Sequence, residues 1–279
     1  MTISTRDQLI DAMANNSSRV VIDKASIANA TAGQFHSLWR ATGQPGQGAI
    51  PAAAAVCDNT LTGALGFSQQ TPPATSYFAQ FEALCGNTGS TLEVHDRLMH
   101  MGGLSGIVAT AQTANLDISA NLATANLNAR KGDANYSDVQ WWLEWYTDTG
   151  ATVVTATANV TYNDGTSGNL TAISLAATRR ASFMQPLNSL IPAADSGKFI
   201  RDVNTVTLSA TTGTAGSFGV TATRFRGSVY QPVANARFKE DWASLGLTEV
   251  ANNACLMTLQ LAATTSTGAV RATGKIVHG

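Results

Sequence analysis

Strict alternation of apolar and polar residues is the clearest pattern in the chain. Between residues 154 and 162, apolar side chains occupy every second position, and Thr or Asn occupies the positions between them. This period of two predicts a strand with one buried face. Similar alternation occurs in shorter runs, at residues 139–145, 173–175, 206–210, 218–222 and 255–261. Turn-forming residues such as Asn163-Asp164-Gly165 separate the runs. The pattern predicts a mainly β fold, an antiparallel β-sandwich or jelly roll.

The N-terminal region has a helical pattern instead. Thr5 and Gln8 have the spacing of a capping box, in which each side chain satisfies a free backbone N–H of the first helical turn. Leu9, Ile10 and Met13 then fall on one side of the predicted helix. The sequence therefore predicts that the chain begins with a short amphipathic helix.

A second short helix is predicted over residues 31–42, with Phe35 and Trp39 on its apolar side. The Gly and Pro residues at 43–48 end it, because neither continues a helix well. From there to about Pro73 the chain is rich in Ala, Gly and Pro, which is typical of a long loop or an extended arm. Long loops in compact domains are usually functional, so we expect this arm to reach a neighbouring subunit.

These patterns divide the chain into an N-terminal region of helices and arm, residues 1–75, and a β-sandwich domain, residues 76–279. In the second region Leu92 and Val94 alternate with polar residues and predict a strand, which Met101-Gly102-Gly103 interrupts. A short helical insertion is predicted near residues 238–245.

Composition favours an assembling subunit over a free monomer. Charged residues make up 13% of the chain, and the formal net charge is −1, whereas ordinary domains carry about 25% charged residues. A low-charge surface suits a subunit covered by neighbours, because charge is depleted at interface cores. The alternative is a secreted β protein with a neutral polar surface.

The distribution of charged, apolar and cysteine residues disfavours several classes of protein. The chain has no dense basic cluster, so nucleic-acid binding is not expected. No apolar run approaches the length of a membrane span, and no export signal is visible at the N-terminus. The three cysteines, Cys57, Cys85 and Cys255, are too widely spaced for a disulfide framework or a zinc knuckle, so free buried thiols are expected.

No catalytic, cofactor or metal site is predicted. His95, Asp96 and His100 form the most suggestive polar cluster, but their spacing is not that of known metal ligands. On a strand, His95 and Asp96 would point to opposite faces, so hydrogen bonding or subunit contact is the preferred interpretation. Nucleophile elbows and phosphate-binding loops are absent. The sequence therefore predicts a protein that is not an enzyme.

Aromatic residues supply the candidate contacts. Trp142, Glu144 and Tyr146 share one face of a predicted strand, where they would stack on a sugar ring or pack against protein. Protein contact is preferred, because aromatic residues concentrate at interfaces. The predicted subunit-contact residues are Phe35, Trp39, Pro45, Trp142 and Tyr146.

Three segments carry a resemblance to a known group of proteins. They are FHSLWRATGQPGQGAIP at residues 35–51, LEVHDRLMHMGG at residues 92–103 and VQWWLEWYTDTGATVVTATANVTYNDG at residues 139–165. Together they resemble uncharacterised virion structural proteins encoded among the head and tail genes of tailed bacteriophages. The resemblance implies a component of the virion, assembled in the host cytoplasm, and transfers no functional residue.

Within a particle, a sandwich with an N-terminal arm suits a capsid decoration or cement protein whose arm clamps adjoining capsomers. The expected partners are the major capsid protein or other virion proteins, and a homo-oligomer is expected, with a trimer as the first hypothesis. One alternative is a tail, neck or collar component. Another is a glycan-binding receptor module that uses Trp142 and Tyr146.

Overall fold

The structure, a computed structural model, describes residues 2–175 and 178–279, which form mainly antiparallel β-strands. Helices are few within these residues: α1 (Arg6–Asn15), α2 (Leu127–Arg130) and four single 3₁₀ turns at Ser119–Asn121, Thr124–Asn126, Asn188–Leu190 and Ala193–Asp195. The mainly β fold predicted from the alternating pattern is confirmed. Helix α1 is also confirmed, with both hydrogen bonds of the Thr5–Gln8 capping box formed.

The strands are short to medium in length, apart from two of 15 residues. In chain order they are β1 (Ser17–Lys24), β2 (Gln34–Ser37), β3 (Gly43–Gln44), β4 (Ala55–Val56), β5 (Ser76–Cys85), β6 (Ser90–Leu104), β7 (Gln112–Asp117), β8 (Gln140–Thr147), β9 (Val154–Tyr162), β10 (Ser167–Asn169), β11 (Ile173–Leu175), β12 (Phe183–Pro186), β13 (Ile200–Leu208), β14 (Ser217–Gln231), β15 (Phe238–Glu240), β16 (Thr248–Val250), β17 (Leu256–Ala262) and β18 (Val270–His278).

The chain divides into two compact units. Unit 1 comprises Met1–Ala49, Asp58–Asp96 and Phe225–Gly279, and unit 2 comprises Ile50–Cys57 and Arg97–Arg224. Two of the boundaries fall inside the long strands β6 and β14. The division differs from the predicted one at residue 75, because the N-terminal strands pair with strands near the C-terminus.

Unit 1 contains the sheet β15–β5–β18–β1–β3, with β16 also paired to β5, and the separate ladder β2–β17–β6. Strand β1 runs antiparallel to β18 over its whole length, from Ser17 opposite Val277 to Lys24 opposite Val270. Apolar side chains of both sets of strands form one core. Its members include Val20, Ile22, Phe78, Phe81, Leu92, Val94, Leu256 and Ile276. Burial of these apolar side chains supplies most of the free energy that stabilises the fold of unit 1.

Unit 2 contains the sheet β10–β9–β13–β7, with β11 also paired to β9, and the ladder β12–β8–β14. Its core includes Trp145, whose ring stacks on Phe218 with the centroids 5.6 Å apart and lies 5.4 Å from Phe183. Two layers of antiparallel strands around one core are the architecture of a β-sandwich.

Two predicted helices are wrong. Residues 31–42 contain strand β2, which pairs with β17 from Gln34 opposite Ala262 to Ser37 opposite Leu259. Residues 238–245 contain strand β15, which pairs with β5, followed by turns. In both places, a distant strand supplies backbone partners that outweigh the local helical pattern.

The predicted break at Met101-Gly102-Gly103 is also wrong, because β6 continues to Leu104. Gly102 has a different role. A side chain at this position would overlap the carbonyl oxygen of Pro51 and also approach the Tyr146 ring. The glycine therefore permits a close backbone approach inside unit 2.

Candidate functional site

The residues predicted to form a contact arm are folded into the two units, Ile50–Cys57 into unit 2 and the rest into unit 1. Trp39 is 2% exposed, and its indole N–H donates to the carbonyl of Ala49 at 3.0 Å. The ring fills the space beside Gly48 and Gly63, where any side chain would overlap it. Phe35 is half-buried in β2. These contacts close the chain back on its own unit.

Lys24 fixes the loop that contains Pro45. Its buried ammonium group donates to the carbonyls of Ala41 at 3.0 Å and Pro45 at 2.7 Å. Burial lowers the pKa of Lys24 to about 8, because removing the ammonium group from water disfavours its charged form. Pro45 is itself buried. Trp39 and Pro45 both lie inside unit 1, and their contact with another subunit stays a prediction.

Strand β8 is buried on both faces. Trp141, Leu143 and Trp145 point into the core of unit 2, as the alternation predicts. The opposite face is also buried: Trp142 is 4% exposed and Tyr146 is 3% exposed. Both rings are covered by other parts of the chain, and their predicted role in subunit contact stays a prediction.

A buried ion pair occupies this second face of β8. The Arg97 guanidinium lies 2.7 Å from the carboxylate of Glu144, and both side chains are at most 1% exposed. Glu144 also accepts hydrogen bonds from the hydroxyls of Thr221 at 2.6 Å and Tyr146 at 3.1 Å. Arg97 donates to His100 Nδ1 at 2.9 Å. These charge-assisted bonds offset the cost of removing the charges from water.

The pKa values reflect this environment. Burial acts to lower the pKa of Arg97, but the nearby Glu144 carboxylate outweighs it and raises the pKa above its ordinary value. Burial, and then the negative charge of Glu144, raise the pKa of Tyr146. Arg97 and Tyr146 therefore hold their protons throughout the physiological range.

Arg130 connects this network to α2. Its guanidinium donates to the carbonyls of Arg97 at 2.9 Å and Cys57 at 2.6 Å. The burial of Arg97 and Arg130 was not predicted from the sequence. A signal for Arg97 is its place on a predicted strand between Val94 and Leu98, because a fully buried arginine almost always has a charged or carbonyl partner.

The His95, Asp96 and His100 cluster does not converge on one point. His95 Nε2 lies 2.8 Å from the Glu93 carboxylate, and Asp96 accepts a hydrogen bond from the backbone N–H of Cys255 at 2.9 Å. The hydrogen-bonding interpretation is therefore confirmed. Among the described residues, no group of three or more His, Cys, Asp or Glu side chains is arranged to hold a metal ion.

The cysteines are free and buried, as predicted. Cys57, Cys85 and Cys255 form no disulfide with one another. Burial raises the pKa of the Cys85 thiol to about 12, which keeps it protonated and unreactive.

An open apolar surface lies on unit 1, in a groove between α1 and the turn after β15. We call it the α1 groove; its volume is about 430 Å³, and it is lined by Arg6, Leu9, Ile10, Met13, Ala14, Trp242 and Lys275. Ile10 is 65% exposed and Trp242 is 42% exposed. Lys275 donates to the carbonyl of Met13 at 3.0 Å. The sequence analysis placed Ile10 correctly on the apolar helix side but did not identify the groove.

In the part of the chain that the structure describes, no helix has the length and hydropathy needed to cross a membrane.

Comparison with known proteins gives little guidance. No protein-family model matches the chain, and no curated protein matches its sequence. Weak likenesses are found to solved structures of infectious bursal disease virus. One is the structure of its T=1 particles, with 11% identity, a TM-score of 0.19, and 94% of this chain and 76% of that chain covered. Another is the VP2 subviral particle, with 10% identity, a TM-score of 0.19, and 94% and 79% covered. TM-scores this low carry no argument about fold or function.

Proposed function

We propose that the chain is a structural subunit of a virus particle, and specifically a decoration or cement protein on the capsid of a tailed phage. The observation that carries the proposal is the α1 groove. Ile10 and Trp242 remain exposed there, although the apolar side chains of both units are gathered into buried clusters. A contiguous apolar surface of this kind marks a site of protein contact.

The charge around the groove defines the partner surface. Arg6 and Lys275 are its only charged lining residues among those described, and both are cationic. The complementary surface therefore presents apolar side chains bordered by carboxylates. We assign it to the major capsid protein or another virion protein, with the particle assembled in the host cytoplasm.

Two sequence features support the same proposal. The low fraction of charged residues suits a subunit surrounded by neighbours, and the three segments described above resemble tailed-phage virion proteins. The proposal includes no catalytic activity. It also retains self-association, with the trimer as the first hypothesis.

Deletion of the N-terminal region is not a suitable test of the proposed contact at the α1 groove. Deleting residues 1–50 would remove β1 and β2, and with them core residues such as Val20 and Ile22. Such a variant would not fold. The test therefore uses Ile10→Ser with Trp242→Ser, because these side chains are 65% and 42% exposed and neither belongs to the core of unit 1.

The experiment measures whether the full chain sediments with phage particles purified from cells that encode it. We expect the wild-type chain in the particle band and the double variant reduced by roughly tenfold. The matched control is Val153→Ser, because Val153 is an apolar side chain 63% exposed outside the groove.

Absence of the wild-type chain from purified particles would contradict the structural role. Equal incorporation of all three proteins would contradict the assignment of the contact to the α1 groove. Immunogold labelling of the same particles then separates the head location from the tail, neck or collar alternative.

A further inference from the structure

A second open depression lies on unit 1, separate from the α1 groove. It has a volume of about 320 Å³ and lies between the last part of β14 and residues 240–245. We call it the β14 cleft; the lining residues used in this argument are Thr91, Phe225, Ser228, Tyr230 and Glu240. Its size lies at the lower end of the range for small-ligand sites.

Two aromatic rings are exposed at the cleft. Phe225 is 41% exposed and Tyr230 is 55% exposed. The Phe225 ring is supported by the edge of His95, at a centroid distance of 5.6 Å and an interplanar angle of 80°. His95 is in turn held 2.8 Å from the Glu93 carboxylate. The Phe225 ring is therefore oriented before any ligand arrives, which lowers the entropic cost of binding.

The polar side of the cleft is anionic. Glu240 is half-buried, and no hydrogen bond or ion pair to its carboxylate occurs among the described residues. Thr91 and Ser228 add hydroxyl groups to the lining. No Lys, Arg or His is among the described lining residues, so a phosphate or carboxylate ligand would meet no countercharge.

We propose that the β14 cleft binds a neutral hexose unit of a glycan. The C–H face of a pyranose ring carries a slight positive potential, which matches the negative π-face of Phe225 or Tyr230. Hydroxyl groups on the same sugar donate to the Glu240 carboxylate in charge-assisted hydrogen bonds. Other sugar hydroxyls pair with Thr91 and Ser228, whose hydroxyls both donate and accept.

The competing ligand is a cationic peptide, because a carboxylate beside aromatic rings also attracts Lys or Arg. A cation uses only hydrogen-bond acceptors, whereas a sugar also uses the donors that Thr91 and Ser228 supply. The lining therefore favours the sugar. A single shallow site of this kind binds weakly, and repetition across many copies strengthens attachment.

The experiment uses the purified full chain, first on an array of neutral glycans and then in NMR titrations with the neutral oligosaccharides that bind. We expect binding in the millimolar range and a loss of roughly tenfold or more in Tyr230→Ala and in Glu240→Gln. The control is Ile10→Ala, which removes an exposed apolar side chain from the α1 groove and should bind like the wild type. Equal melting temperatures establish that the variants are folded.

The proposal is overturned if the wild-type chain binds no neutral glycan at millimolar concentration, or if both cleft variants bind as tightly as the wild type. Binding of an Arg-rich peptide alone, lost in Glu240→Gln, would assign the cleft to a cationic peptide instead. Each outcome leaves the proposed particle role untouched, because that role is measured by sedimentation of variants in a different groove.

Discussion

Arg97 and Glu144 lie 2.7 Å apart in the interior of unit 2. Their pairing matters because neither charge has access to water. Removing one partner leaves the other charge buried without its counterion, which costs far more than the intact pair contributes. Substitution of one partner should therefore destabilise the fold more than substitution of both partners together.

We predict that Arg97→Met lowers the free energy of unfolding by about 3–5 kcal/mol, measured by urea denaturation. Arg97→Met combined with Glu144→Leu should recover much of this loss, because no isolated charge remains. The control is Arg180→Met, which breaks a pair with Asp148 in which both side chains are 44% exposed. It should cost less than about 1 kcal/mol. Equal losses in the two single variants would refute the prediction.

A second residue-scale effect concerns pH. His36 is fully buried, and its Nε2 accepts a hydrogen bond from the backbone N–H of Thr31 at 3.0 Å, which requires the neutral ring. Burial lowers the pKa of His36 from 6.5 to about 4. Below pH 6.5 the unfolded chain therefore binds a proton that the folded chain does not, and stability falls as pH falls.

We predict that this histidine contributes a stability loss of about 3 kcal/mol between pH 6.5 and about pH 4. Urea denaturation across this range measures it. In His36→Gln, the slope of unfolding free energy against pH should be shallower, because the amide does not titrate. An unchanged slope would show that His36 is not responsible.

At the scale of single elements, the alternation of apolar and polar residues predicts which segments are strands, but it does not predict whether the second face of a strand is buried. β8 and β9 were predicted because their apolar residues recur with a period of two. The second face of β8 was expected to be available for contacts, yet it is buried. Sequence pattern identifies a strand from one apolar face, whereas burial of the other face depends on which elements cover it.

β2 and β15 were missed for a related reason. Each is stabilised by a ladder to a strand far along the chain, β17 and β5 respectively. The local sequence does not show which distant strand will pair with a segment. The helical spacing around Phe35 and Trp39 therefore predicts a helix where the structure has strand β2. The α1 groove and the β14 cleft were also beyond prediction, because each brings together residues from distant segments.

The close approach of two backbone segments at Gly102 gives a testable prediction for strand β6. Gly102→Ala in β6 should lower the free energy of unfolding by about 1–3 kcal/mol, because the new methyl group overlaps the Pro51 carbonyl. The matched control is Gly66→Ala, since a methyl group there would meet nothing within 4 Å. The control should be neutral or slightly stabilising. Thermal and urea unfolding of both variants provide the comparison.

At the scale of the whole molecule, few charged groups remain on the exterior. The chain contains 17 basic and 18 acidic residues, and several of them are removed from the surface by folding. The buried charged residues are Lys24, Asp96, Arg97, Arg130, Lys131, Glu144, Asp202 and Arg226. Fewer charges remain to keep separate copies apart, which agrees with the proposed role as an assembling subunit.

The pairing of β1 with β18 also sets an order for events on the ribosome. Residues 17–24 are synthesised well before their ladder partner, residues 270–278. Unit 2 is nearly contiguous in sequence, so its strands emerge together and can condense first. During that interval β1 lacks its long pairing with β18 and has only the short pairing of Asp23 and Lys24 with β3. The nascent chain is therefore prone to aggregate through this strand until β18 is synthesised.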